Sequence, residues 1–137
     1  MSRAFSDIQN LLEAQLVSLG LGYAVAWDNV DFTPNPTTPW LNPTIIPAGG
    51  QAAGLGVTAQ NRHDGIFQIT VMAPARDGHS LGLQVADQLA TGFKRGLNLV
   101  TGNTRLVVTA VARNSSGDDG DWFHVPVSIS FYAYADN

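Results

Sequence analysis

The chain has 137 residues, 45% of them apolar and 13% charged, which is enough for one hydrophobic core and short for two. Seven Lys and Arg against eleven Asp and Glu give a formal charge of -4, so no basic excess is available to neutralise a run of phosphates. The absence of cysteine excludes disulfides, thiolate nucleophiles and Cys-based zinc or iron–sulfur sites.

No stretch approaches the roughly 20 apolar residues of a membrane span, and Met1-Ser2-Arg3-Ala4-Phe5 does not open a continuous apolar run. A soluble, non-exported chain is therefore expected, with no membrane partner and no specific nucleic-acid binding. The first element is a helix over residues 2–19, because Phe5, Ile8, Leu12, Leu16 and Leu19 recur every three or four positions. Ser2 or Ser6 caps its start, and Gly20 and Gly22 stop it.

A short strand follows over residues 23–27, closed by a turn at Asp28-Asn29. Five of the seven prolines, Pro34, Pro36, Pro39, Pro43 and Pro47, then exclude a helix and leave room only for an edge strand over residues 40–46. Residues 48–64 are polar and rich in glycine, and together with the prolines they read as a long Pro/Gly-rich insertion over residues 33–64, a projecting loop or arm.

The alternation Phe67, Ile69, Val71, Ala73 against Gln68 and Thr70 predicts a strand over residues 66–73. A turn over residues 74–78 precedes a second helix, capped by Ser80, carrying Leu81, Val85, Leu89 and Phe93, and closed by Lys94, Arg95 and Gly96. A strand around residues 105–113 and a polar turn from Asn114 follow. The last strand, with Phe123, Val125, Val127, Ile129, Phe131 and Ala133 facing the core, pairs with it as a hairpin. Pro126 argues for an edge position or a bulge. The predicted order is α-β-β-β-α-β-β. That order predicts one α+β domain spanning residues 1–137, two helices on one face of a mainly antiparallel or mixed sheet.

Catalytic chemistry finds little support. His63, His79 and His124 form no H-x-x-x-H pair, Glu13 is the single glutamate, and the crowded Asp118, Asp119 and Asp121 lack the ligand alternation of a calcium loop. His63-Asp64 is an orienting pair only if the glycine-rich segment holds it still; a solvated loop is the plainer reading. The glycines over residues 50–56 lack the Lys-Ser/Thr of a phosphate loop, and there is no G-x-S-x-G. No catalytic residue, cofactor or metal site is expected. Trp122, Tyr132 and Tyr134 alternate against the core face of the last strand, so the second sheet face wants a cover, from the same chain or from another copy.

Taken in order, residues 27–34 (Trp-Asp-Asn-Val-Asp-Phe-Thr-Pro), Pro39-Trp40-Leu41, residues 65–71 (Gly-Ile-Phe-Gln-Ile-Thr-Val), Phe93-Lys94-Arg95-Gly96 and Val125-Pro126-Val127-Ser128-Ile129 resemble the tail terminator, or tail completion, proteins of long-tailed bacteriophages and prophages. The resemblance implies an α+β virion protein assembled in the host bacterial cytoplasm. Six copies would form a ring on the head-proximal end of the tail tube, end its polymerisation and offer a surface to the head or neck connector. It brings no active site.

A ring needs two different surfaces that meet. Residues 33–64 are candidates for one and the last strand near Pro126 for the other. Trp40, Arg62, Lys94, Arg95, Asp118, Asp119, Trp122 and Tyr132 are the candidate interface residues, with Arg62, Lys94 and Arg95 facing the aspartates of the next copy. A tail-tube or head-completion subunit is the neighbouring alternative. A small-molecule-binding α+β domain, closing its glycine-rich flap over a ligand near His63 and Asp64, is the more distant one.

Overall fold

The computed structural model describes residues 4–27, 33, 38–52, 60–75, 79–114 and 116–136. The elements run α1 (Ala4–Ser18), β1 (Ala24–Val25), β2 (Trp40–Ala52), β3 (Asn61–Pro74), α2 (His79–Gly92), β4 (Asn98–Thr101), β5 (Thr104–Arg113), β6 (Gly117–Asp119) and β7 (Trp122–Ala135). The strands form one sheet in the order β1-β2-β3-β7-β5-β4, with β6 attached to β7. All pairings are antiparallel except the two-residue β1–β2 contact.

The predicted order is corrected by this topology. Two helices and a largely antiparallel sheet are present, but the molecule is mostly β, the sheet curls into a half-barrel, and the chain runs α-β-β-β-α-β-β-β-β. The two additional strands, β4 and β6, are four and three residues long, too short to carry a legible alternation.

A second correction concerns the supposed arm. Residues 48–52 and 61–64 belong to the β2–β3 hairpin, whose register runs from Trp40↔Met72 to Ala52↔Asn61 with a bulge between Pro47 and Gly49. β7 pairs with β3 along that whole length, from Pro74↔Trp122 to Asn61↔Ala135, so the hairpin is seated in the sheet. Glycine content concealed it, because backbone pairing needs no side chain. The turn at Asp28-Asn29, Pro34 and Pro36, residues 53–59 with Gly54 and Gly56, the 76–78 part of the second turn, and the side chains of His79 and Asp119 lie outside the described residues.

Prolines within strands sit where a missing N–H costs no ladder bond. The Leu41 carbonyl accepts from the Ala26 N–H at 2.8 Å, on the side of β2 away from β3. Backbone groups alternate direction along a strand, so Pro43 and Pro47 also face outward, onto the sheet edge. Pro126 is neither on an edge strand nor in a bulge: β7 is central, between β3 and β5. Its carbonyl accepts from the Asn114 N–H at 2.8 Å, which turns its backbone toward the β5 side. There β5 ends at Arg113↔Val127 and β6 begins at Gly117↔His124, so its missing donor faces the gap between them.

Both helices cover the same sheet face. Ile8, Leu12 and Leu16 of α1 and Val85, Leu89 and Phe93 in and just after α2 pack on Phe67, Ile69 and Val71 of β3, Leu106 and Val108 of β5, and the odd-numbered residues of β7 from Phe123 to Ala133. Burial of each such large side chain stabilises by roughly 1.5–3 kcal/mol. α1 stops where expected, with Gly20 at φ +60 just past its last turn. α2 ends earlier than expected, at Gly92, so Lys94 and Arg95 lie beyond it on exposed backbone. The Gln15 side-chain amide donates to the Gly92 carbonyl at 3.0 Å, which ties the two helices and satisfies a terminal acceptor. Thr104 is buried, and its hydroxyl donates to Asp7 Oδ2 at 2.9 Å, joining the first turn of α1 to the start of β5.

Candidate interaction surfaces

Alternation along the strands sends every second side chain to the face opposite the helices, and no described element covers that face. Its rows can be read from the register. At one end stand Trp40, Met72 and His124, next to Pro74 and Trp122. In the middle lie Thr70, Gln68, Ser128, Ser130, Ala110 and Ala112, with the apolar Ile46, Ile66 and Pro126 among them. At the far end are Arg62, Asp64, Tyr132, Tyr134 and Arg105.

Both ends are ordered by their own contacts. The Trp40 and Trp122 rings meet edge to face with centroids 5.9 Å apart. The Arg62 guanidinium carbon lies 4.5 Å from the Tyr132 ring centroid, Arg105 lies 5.9 Å from that of Tyr134, and the two tyrosines meet edge to face at 5.6 Å. Arg62 Nε also donates to Asp64 Oδ1 at 3.1 Å. That bond raises the Arg62 pKa above an already high value, so the group is a permanent cation. Tyr, Trp, Met and Arg are the residue types enriched in protein interfaces, and Lys and Glu, which are depleted there, do not occur among the described residues of this face.

The structure thus brings four of the eight expected interface residues onto one surface, as two separate pairs, Trp40 with Trp122 and Arg62 with Tyr132. Asp118 pairs in register with Phe123, and Asp119 with Trp122, at the opposite end of β7 from Arg62, which pairs with Tyr134. Eleven residues of strand separate the Asp118 and Arg62 rows, roughly 36 Å at ~3.3 Å per residue. Within one molecule Arg62 is instead paired with Asp64. Lys94 and Arg95 are exposed on the segment after α2 and do not join either cluster. Asp64, Arg105 and Tyr134 were not among the eight; the alternation that marks Tyr132 also marks Tyr134, whereas the Arg105 position depends on the β5–β7 register.

The His63-Asp64 pair is broken by the pleat, since successive residues of β3 point to opposite faces. Asp64 meets Arg62 on the outer face, whereas the His63 ring stands edge to face with Phe5 of α1 at 5.6 Å. A half-open cleft of about 510 Å³ lies there, lined by Phe5, Ile8, Ile45, Pro47, His63 and Phe131 among others. Its lining is mainly apolar, and His63 Nε2, buried in it, has no hydrogen-bond partner among the described residues. Asp64 also borders the cleft, but its carboxylate is engaged by Arg62. Among the described residues no three His, Cys, Asp or Glu side chains are grouped to hold a metal ion, and no helix is long and apolar enough to cross a membrane.

Comparison with known proteins follows the same line. A family model described as phage tail terminator protein matches residues 7–131. One solved structure superposes with a TM-score of 0.76 at 24% identity, covering 98% of this chain and 96% of its own. A second, described as the virion of a native gene transfer agent particle, superposes at 0.59 with 21% identity, covering 98% of both chains. At these identities the likeness is one of fold. No curated protein matches the chain.

Proposed function

Because the chain belongs to the phage tail terminator protein family, a family of structural virion proteins found in the phage tail, we propose that six copies close into a ring on the head-proximal end of the tail tube. The ring ends tube growth and presents its free side to the head or neck connector. The observation that carries this reading is the outer sheet face, ordered by Trp40–Trp122 and Arg62–Tyr132 contacts and covered by no other element among the described residues. A half-buried face of this composition suits a protein contact, and a closed ring covers it in every copy at once. The virion-particle structure of similar fold is consistent with assembly among other virion proteins.

Removal of this protein during assembly tests the reading. Tails made without it are expected to vary in length or to fail to join heads. Tails of normal length that join heads normally would overturn it.

A further inference from the structure

We propose that, in the ring, the outer sheet face of one copy is covered by the helix layer of the next copy. The inference rests on the ring reading, which requires two different surfaces of the same chain to meet. The outer face is one of them by size and composition. Four long strands at ~4.8 Å spacing and up to 14 residues at ~3.3 Å give roughly 800 Å², about the area each partner contributes to a stable interface. Its centre mixes small side chains, including exposed Ala110 and Ala112, with Ile46, Ile66 and Pro126, an apolar patch that another surface can cover.

The second surface is the solvent side of the helices, on the opposite side of the molecule. The exposed residues of α1 are Phe5, Ser6, Gln9, Asn10, Ala14, Val17 and Ser18, with no charge among them, and Phe5 and Val17 are 77% and 66% exposed. On α2 the described exposed side chains carry a single charge, Asp87. Solvated helix faces ordinarily carry charges, so this one is built as a contact. On charge, the sheet face presents Arg62 and Arg105 against Asp64, whereas the described side chains of the helices themselves carry Asp7, Glu13 and Asp87, with Lys94 and Arg95 just beyond α2. A bare sheet face is ordinarily covered by helices, here supplied by the neighbour.

Because the chain has no cysteine, introduced thiols are unique. V17C and Q88C mark the helices, and A112C marks the sheet face. The variants are assembled singly and mixed, on tail ends, and oxidised. A covalent dimer is expected when a helix variant is mixed with A112C and not from any variant alone. Dimers of A112C alone would show sheet faces meeting each other and would overturn the proposal. So would a ring of six copies, counted by imaging, in which no mixture crosslinks; the ring reading would then stand without it. Absence of a ring would remove both.

Discussion

Gly65 and Gly92 set two of the closest approaches in the core. A Cβ on Gly65 would lie 2.8 Å from the Phe131 ring and 3.2 Å from the Ile46 carbonyl oxygen, and one on Gly92 would overlap Leu19. Gly65→Ala is expected to destabilise by about 1–3 kcal/mol through forced shifts of the ring and of the β2 backbone, read as a lower midpoint in thermal or urea unfolding. Leu12→Ala, which empties a fully buried site, is expected to cost about 2–5 kcal/mol in the same measurement. Tyr132→Ala should behave differently. It leaves the core intact, so the unfolding midpoint stays near the parent's, but it removes the platform under Arg62 and weakens ring assembly by about 2 kcal/mol or more, measured as a shift in the concentration at which rings form. A parent-like assembly curve would separate Tyr132 from the interface. The odd and even alternation that places Phe131 inside and Tyr132 outside is legible in the sequence, because a strand has a period of two. The Arg62–Asp64 bond is not: it depends on which strand those residues occupy, and glycine-rich surroundings gave no sign of one.

The two helices, β3 and the β5–β7 pairing are legible at the level of elements, since each carries a sustained apolar period. What escapes is set by backbone geometry. Pro126 suggests an edge, yet it lies in a central strand because β5 and β6 leave a gap opposite its nitrogen. Pro43 and Pro47 do lie in an edge strand, facing outward, and they deprive that edge of two donors. They therefore protect it from pairing with other strands. The variant P47T, at the exposed one of the two positions, restores a donor and is expected to form higher-order species or fibrils, seen by light scattering and analytical ultracentrifugation, with little loss of folded stability. A variant that keeps the parent's size distribution would remove this role from Pro47.

The whole molecule has the layout of an assembly unit. Its helices bury one sheet face in a single core, and the other face carries aromatic and arginine clusters at two ends with small, polar and a few apolar residues, Ile46 and Ile66 among them, between. The aspartates expected to pair with Arg62 lie at the far end of β7, so such pairing could occur only between copies. The aromatic character of the outer face was legible from the alternation of Trp122, Tyr132 and Tyr134; its breadth was not, because that is set by the pairing of four strands distant in sequence. The central claim is that copies of this chain close on one another at a single end of the tail. Imaging purified tails with this protein labelled tests it directly: the account predicts one six-copy ring at the head-proximal end, and label spread along the tube or present as single copies would contradict it.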